Sequence, residues 1–246
     1  MANLRQSESF SIRCGRWNDK VVLCTETKIM PNLPLYEPRL ETIEIISANP
    51  DVATVQTLSG EKGYLPKTEY YVGMQFVPGD RIIAQRVEDN PKPIFSTTRN
   101  EFITMLLPAF IPELRTGVIK VMGMARLPGI RSKIALATTD STIDPIGAAV
   151  GRSQNRVKAI SNAAKGERID FISWHPDLKI YLANAIAPAA ATEVLVEGKN
   201  ATIYTSKHQM SAAVGAGGLN SQLAGQLTGM KVRVTTEEEE NPQPST

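Results

Sequence analysis

The tetrapeptide Ala148-Ala149-Val150-Gly151 recurs 64 positions later as Ala212-Ala213-Val214-Gly215. Each copy lies between a predicted pair of strands and a predicted helix. The flanking strands are also similar: KIALATT (133–139) and RIDFI (168–172) around the first copy, NATIYTS (200–206) and KVRVT (231–235) around the second. The same order of strand, strand, helix, glycine turn, helix, glycine and strand therefore occurs twice, which indicates two copies of one small α/β module.

A glycine-rich turn joins two predicted helices in each copy. The first loop is Gly151-Arg152-Ser153-Gln154, and the second loop is Gly215-Ala216-Gly217-Gly218. A Gly-x-x-Gly turn lets the backbone approach a phosphate at a helix N-terminus, where free N–H groups and the helix dipole favour anions. KH domains hold about four nucleotides of single-stranded RNA in this way. A single glycine turn is more often an ordinary helix end, but the repeat favours two KH domains of the α-β-β-α-α-β type.

Short apolar runs separated by turns precede the repeat. The turns are Asn-Pro-Asp, Ser-Gly-Glu and Pro-Gly-Asp, and the runs are TIEII (42–46), VATVQTL (52–58), GYL (63–65) and RIIAQRV (81–87). Strands of this length and spacing predict a small antiparallel β-barrel. A connector helix follows, with Phe102, Ile103, Leu106 and Leu107 near a helical period and an end near Pro108.

The predicted protein is therefore multidomain, with a small barrel followed by two α/β KH domains. The last ten residues, EEEENPQPST, combine four like charges with two prolines and cannot bury enough apolar surface to fold. The expected segments are an N-terminal extension without an assigned fold over 1–38, the barrel over 39–97, the connector helix and first KH domain over 98–175, the second KH domain over 176–236, and a disordered acidic tail over 237–246.

Composition and motifs exclude several classes of protein. The 246 residues contain 42% hydrophobic residues and a formal net charge of +2, with two cysteines and two histidines. Cys14 and Cys24 have no zinc-ligand spacing, and His175 and His208 complete no metal-binding signature. The nucleotide-binding Gly-x-x-x-x-Gly-Lys-Ser/Thr and the hydrolase Gly-x-Ser-x-Gly are absent. We therefore expect no catalytic residues, metal, cofactor or small-molecule substrate.

The hydropathy pattern also argues against a membrane protein. No run approaches the roughly 18 apolar residues that span a bilayer, and the N-terminal sequence MANLRQSESFSIRCGR lacks the apolar region of a signal peptide. We therefore expect a cytoplasmic protein with no membrane partner.

Eight blocks lie in a fixed order within roughly residues 98 to 236. They are FIPEL (110–114), VIKVMGMA (118–125), AR-L-PG-I-R-SKIA (125–135), IDPIGAAVG (143–151), RVKAI (156–160), GERIDFISW (166–174), NAIAPA (184–189) and SAAVGAGGLNSQLAGQLTGMKVRV (211–234). In these blocks the chain resembles the NusA family of bacterial transcription elongation and termination factors. A weaker match over 41–99 resembles the barrel of that family, which implies an RNA-binding barrel of the OB type.

The resemblance implies an RNA-binding factor without enzymatic activity. It would engage nascent single-stranded RNA, RNA polymerase and other proteins of the elongation complex, and would modulate pausing, termination or antitermination. The family carries an N-terminal polymerase-docking domain that residues 1–38 do not resemble. We therefore expect a naturally shortened relative, bacterial or encoded by a phage and acting in the host cytoplasm.

The candidate RNA-binding residues are the two loops and the polar residues near them. They are Arg126, Arg131, Lys133, Gly151, Arg152, Ser153, Gln154, Asn155, Arg156, Lys158, Gly215, Ala216, Gly217, Gly218, Asn220 and Gln222. Residues 113–170 carry ten Lys/Arg against five Asp/Glu, whereas residues 190–246 carry four against six. Phosphate attraction is therefore expected mainly in the first KH domain, unless these cations only solvate a surface. Tyr64 and Phe76 are candidates for base stacking, with packing in the barrel core as the alternative.

Two departures from the family pattern bear on these residues. Gln154 stands where the family has the second glycine of the first loop, so it either adopts the glycine geometry or changes the loop. Ala216 and Gly217 occupy middle positions that are usually basic. These departures leave open a non-catalytic adaptor in a polymerase assembly with degenerate KH loops. An RNA-decay or ribosome-associated RNA-binding subunit is a further alternative, because barrel and KH domains also occur together there.

Overall fold

Five strands at the start of the described chain close into a barrel. The computed structural model describes residues 39–71, 73–89 and 91–236, so the predicted N-terminal extension and acidic tail lie outside the described residues. The barrel strands are β1 (Arg39–Ala48), β2 (Val52–Thr57), β3 (Lys62–Pro66), β4 (Arg81–Glu88) and β5 (Ile94–Ser96). Their order around the barrel is β1-β2-β3-β5-β4, and β4 pairs back onto β1.

The barrel forms because alternate residues of its strands are apolar and point inward. The buried core includes Ile43, Val55, Leu65, Ile82 and Phe95. All neighbouring strands pair antiparallel except β3 and β5, which pair parallel. The predicted small barrel is confirmed; its one parallel pair was not predicted, because three residues are too few to show an alternating pattern.

Two helices connect the barrel to the first KH domain. They are α1 (Asn100–Phe110) and α2 (Pro112–Arg115). The four apolar residues predicted to face the core, Phe102, Ile103, Leu106 and Leu107, are all buried. The predicted end near Pro108 was wrong, because α1 includes this proline and continues to Phe110.

The first KH domain packs helices on one face of a three-stranded sheet. After α1 and α2 come β6 (Ile119–Leu127), β7 (Arg131–Thr138), α3 (Pro145–Val150), α4 (Asn155–Ala163) and β8 (Arg168–Ser173). In the sheet order β6-β7-β8, β7 is antiparallel to β6 and parallel to β8. Pro145 begins α3 and the Asp144 carboxylate accepts a hydrogen bond from the Ile146 amide, so the start of this helix is capped.

The second KH domain repeats this arrangement. It contains α5 (Leu178–Ala185), β9 (Glu193–Glu197), β10 (Asn200–Tyr204), α6 (Met210–Val214), α7 (Leu219–Thr228) and β11 (Lys231–Thr235). In the sheet, β10 pairs antiparallel with β9 and parallel with β11. A barrel followed by two α-β-β-α-α-β domains confirms the predicted fold class.

The two KH domains share an apolar contact. Ala135 and Ile172 lie on the face of the first sheet opposite its own helices, and they pack with Tyr181 of α5. Leu227 of α7 packs against the same cluster. The helices of the second domain therefore cover the outer face of the first sheet.

No helix in the described part of the chain combines the length and apolarity needed to cross a membrane. Within the same residues, no group of three His, Cys, Asp or Glu side chains is placed to hold a metal ion. The two histidines make local hydrogen bonds: His175 Nδ1 accepts one from the Asp177 amide, and His208 Nε2 lies 3.4 Å from Ser206 Oγ.

Candidate nucleic-acid interface

The two loops have nearly the same backbone conformation. Gly151 has φ 73° and ψ 167°, and Gly215 has φ 77° and ψ 167°. At the fourth position, Gln154 has φ 63° and ψ 22°, and Gly218 has φ 78° and ψ 7°. Gln154 therefore adopts the left-handed geometry of the glycine that it replaces, and the first loop keeps its shape.

The first position of each loop requires glycine for two reasons. Its φ is positive, and a Cβ would collide with the following helix. On Gly151 it would lie 2.3 Å from Asn155 Oδ1, and on Gly215 it would lie 2.7 Å from Asn220 Cβ. Each loop is therefore in direct contact with the helix that follows it, α4 or α7. This contact fixes the direction in which the loop leaves the preceding helix, α3 or α6.

The first loop holds two consecutive non-glycine residues in the left-handed region. Ser153 has φ 52° and precedes Gln154 directly. Each such residue costs roughly 1–2 kcal/mol relative to right-handed backbone. Local hydrogen bonds support the loop: the Gln154 amide donates to Gly151 O at 3.0 Å, and Lys158 Nζ donates to Ser153 O at 3.4 Å.

A groove of about 630 Å³ lies beside the first loop, between α4 and the edge strand β8. We call it the first groove. Val150, Val157 and Phe171 give it apolar walls, and Gln154 and Lys158 line it near the loop. Ala187 and Pro188, which follow α5, also line it. A volume of this size is typical of ligand sites, which combine apolar walls with a few polar groups.

Arg156 and Asn220 occupy equivalent positions in the two copies and face inward. Arg156 Nη1 donates to Ala148 O at 2.6 Å and to both carboxylate oxygens of Glu113 at 3.0 Å. Asn220 is fully buried, and its Nδ2 donates to the carbonyls of Ala212, Ala213 and Ile186. Both side chains therefore hold the end of the preceding helix.

Three other candidate residues, Arg126, Arg131 and Lys133, also have partners inside the protein. The Arg126 side chain is 1% exposed and forms an ion pair of 2.8 Å with the fully buried Glu167. The guanidinium of Arg131 pairs with Asp170. Lys133 is fully buried and donates to Ala187 O at 2.9 Å, and burial lowers the pKa of its ammonium group to about 8.

Exposed cations remain at the first loop but not at the second. Arg152 and Lys158 are exposed on the first loop and the start of α4. At the equivalent places of the second copy, Ala216 and Gln222 are exposed and uncharged. The remaining exposed candidates also lie on or next to the loops: Ser153, Gln154, Asn155 and Gly217. The first loop therefore exposes positive charge and the second loop does not, in the direction that the charge counts of the two regions predict.

The two barrel aromatics have different surroundings. Tyr64 on β3 is partly exposed, and Lys92 Nζ lies 5.3 Å from the centre of its ring. Phe76 meets Tyr70 edge-on, with ring centres 5.0 Å apart, and packs against the barrel core. Of the two, Tyr64 is placed to present a ring face outside the barrel.

Two family models match the region that contains both loops and the first groove. The model of the NusA-like first KH domain matches residues 97–174, and that of the NusA-like second KH domain matches residues 178–242. Together they span more than half of the chain. The chain belongs to the NusA-like family. Its loops are thus the KH loops of a NusA-like pair, with a non-glycine residue at the fourth position of the first.

Named relatives agree with this assignment. This NusA-like chain is 36% identical over 195 residues to the "Transcription termination/antitermination protein NusA" of Rickettsia conorii, a match that covers 75% of the chain and 39% of the relative. It is 34% identical over 180 residues to the protein of the same name from Bacillus subtilis, covering 70% and 48%. The chain therefore spans less than half the length of these relatives.

A solved structure named "Crystal structure of APE1850" is 20% identical, with a TM-score of 0.39, and the match covers 54% of this NusA-like chain and 96% of the other. This similarity is too distant to bear on fold or function.

Sequence reasoning missed most of the walls of the first groove. Val150, Val157 and Phe171 belong to apolar patterns that also predict a core, so nothing in the pattern separates a groove wall from the interior. Ala187 and Pro188 line the groove although they follow α5, a helix of the second domain. No local sequence signal places them there, because their position depends on how the two domains pack.

Proposed function

We propose that this NusA-like chain is a non-catalytic RNA-binding factor of transcription that holds single-stranded RNA in the first groove. The observation that carries the proposal is the groove itself, an apolar cleft directly beside a KH loop with intact backbone geometry. Single-stranded RNA presents flat bases beside a charged backbone, so an apolar cleft next to anion-binding groups suits it.

The first loop supplies the phosphate contacts in this proposal. The N–H groups at the start of α4 and the helix dipole favour an anion there. Arg152 and Lys158 are exposed on the same segment and add positive charge. Arg156 instead donates to Glu113 and to the Ala148 carbonyl of α3. We therefore assign it to the stability of the loop rather than to direct contact with RNA.

The second loop contributes backbone contacts without charge in this proposal. Its geometry matches that of the first, but Ala216, Gly217 and Gln222 provide no cation. Tyr64 is our candidate for base stacking on the barrel. The strongest electrostatic contact with RNA therefore lies in the first KH domain.

The relatives, which are named as termination and antitermination proteins, support a role in transcription. We propose that the chain acts on nascent RNA and on RNA polymerase during elongation, and that it modulates pausing, termination or antitermination. In vitro transcription over an intrinsic terminator, with and without the protein, tests this role through the fraction of terminated transcripts. An unchanged fraction, together with no effect on pausing, would contradict it.

Fluorescence anisotropy with a labelled RNA of about 12 nucleotides tests RNA binding by the first loop. The variant Arg152→Glu with Lys158→Glu removes two phosphate contacts. At about 50 mM salt we expect affinity to fall on the order of 50-fold, and the slope of log affinity against log salt to become shallower by about 1.4.

The matched control is Arg115→Glu with Lys120→Glu. Both residues are exposed, and Lys120 lies on β6, at the opposite edge of the sheet from the first groove. The control makes the same change in net charge and should lose at most a few-fold in affinity. Equal losses in the two variants would show that binding depends on overall charge rather than on the first loop.

The uncharged second loop favours one alternative, a protein-interaction adaptor. If the wild-type chain fails to bind RNA even at about 50 mM salt but is retained on immobilised RNA polymerase, the adaptor function is correct and RNA binding is not.

A further inference from the structure

Gln154 combines three properties that single it out within the first loop. It is exposed, its backbone is left-handed, and it lines the first groove. Ser153, its neighbour, is also exposed and left-handed but is not among the residues that line the groove. The left-handed backbone at position 154 therefore places a side chain beside the cleft where the second loop has only the hydrogen of Gly218.

The Gln154 carboxamide is chemically suited to recognise a nucleobase. It carries one acceptor oxygen and two N–H donors in a single plane. Among the residues that the structure describes, none forms a hydrogen bond with the side-chain amide of Gln154. Glutamine amides form paired hydrogen bonds with adenine, donating to N7 and accepting from N6. The apolar walls next to it, Val157 and Phe171, offer surface to the flat faces of a base.

The left-handed backbone of Gln154 also has a cost in conformational free energy. A non-glycine residue in the left-handed region costs roughly 1–2 kcal/mol, and the second loop avoids this cost with glycine. Backbone strain of this kind is concentrated at functional sites, where the surrounding structure holds it in place. At position 154 the strained residue adds a carboxamide to the groove beside the Lys158 ammonium, and a glycine would remove it.

We propose that Gln154 is a specificity-determining residue that recognises an adenine base in the first groove. The proposal rests on the proposed function, because it requires that single-stranded RNA occupies this groove. It adds a preference for one base, set by a side chain that a Gly-x-x-Gly loop does not have.

The test compares Gln154→Gly with Ser153→Gly. Each variant replaces one left-handed residue by glycine, so both relieve similar backbone strain, and only the first removes a group from the groove. The probes are uridine oligonucleotides of about eight residues with one central adenine, cytosine or guanine. Thermal unfolding confirms that both variants are folded, and affinity is measured for each probe.

We expect the wild-type chain to prefer the adenine probe over the cytosine and guanine probes by about fivefold or more. Gln154→Gly should bind all three probes within about twofold of each other, whereas Ser153→Gly should keep the wild-type preference. Overall affinity for RNA should remain in both variants, because the loop backbone and its cations are retained.

Each other outcome has a definite meaning. If Gln154→Gly keeps the preference, or if Ser153→Gly loses it equally, the proposal is overturned while RNA binding stands. If the wild-type chain prefers cytosine or guanine and Gln154→Gly removes that preference, Gln154 recognises a base but the assignment to adenine is overturned. If the wild-type chain binds none of the probes, the proposed function fails, and this inference fails with it.

Discussion

Lys133 places a positive charge where the side chain has no contact with solvent. Its ammonium group donates to Ala187 O, and Asp170, Arg131 and Arg168 are the charged groups that act on it. Burial is the main cause that lowers its pKa to about 8; Asp170 opposes this shift and the two arginines add to it. An unfolded lysine has a pKa of about 10.4, so between these values the unfolded chain binds more protons. Stability should therefore rise as pH increases through this interval.

The variant Lys133→Met tests this dependence. Between about pH 7 and about pH 10, the wild-type free energy of unfolding should gain on the order of 2 kcal/mol from this group, and the variant should lack that gain. Urea titrations at both pH values measure the difference. Lys120→Met, which removes an exposed lysine on β6, should keep the wild-type pH dependence. Parallel pH profiles for wild type and Lys133→Met would contradict the lowered pKa.

At the scale of elements, the Arg126 side chain joins the first KH domain to the end of the barrel. Arg126 of β6 donates to the Glu167 carboxylate just before β8 and to the carbonyls of Thr97 and Arg99 at the end of the barrel. Glu167 also accepts hydrogen bonds from Gly129 N and Ser132 Oγ. Thr97, Arg99, Gly129 and Glu167 lie in segments that connect two elements, whereas Ser132 lies on β7. Arg126 and Glu167 therefore hold the end of the barrel against the first KH domain.

Removing Arg126 should destabilise the protein strongly. Arg126→Met leaves the Glu167 carboxylate buried without a counter-ion, which costs about 3–5 kcal/mol in comparable cases. The control Arg81→Met breaks the ion pair between Arg81 and Glu44. The Arg81 side chain is 65% exposed, so this variant should lose less than about 1 kcal/mol of stability. Urea unfolding compares the two variants. Similar small losses of stability in both variants would show that the Arg126–Glu167 pair does not stabilise the fold.

For the whole molecule, the net charge of +2 conceals two unlike KH domains. The basic residues concentrate between 113 and 170, and the structure places Arg152 and Lys158 of this set at the first loop surface. The second loop has the same backbone but no cation. A single substitution should therefore convert the second loop into an electrostatic contact for RNA.

Ala216→Arg adds a cation at an exposed position of the second loop. One added phosphate contact should raise RNA affinity about eightfold at about 50 mM salt and about threefold at about 200 mM, and should steepen the salt slope by about 0.7. Anisotropy titrations over this salt range measure both quantities. Ala216→Gln adds a polar side chain without charge and should leave the slope unchanged. An equal gain in both variants would contradict an electrostatic origin.

The order of elements was predictable from the sequence because helices and strands impose different apolar periods. The runs of β1, β2 and β4 and the repeated order around the two loops were sufficient for the fold class. Two details were not predictable from pattern alone. Strand β5 has only three residues and pairs parallel with β3, and α1 continues past Pro108. Both depend on contacts with elements distant in sequence.

The sequence alone determined the barrel, the KH repeat and the two loops, since these follow from local periodicity and from glycines at positions of positive φ. Tertiary structure alone decided what each polar residue contacts. Arg126, Lys133 and Arg156 look like Arg152 and Lys158 in the sequence, yet the first three have partners inside the protein and the last two are exposed. The physical reason is that a cation is neutralised by whichever carboxylate or carbonyl lies nearest in space, and that neighbour is 41 positions away for Arg126 and 54 for Lys133.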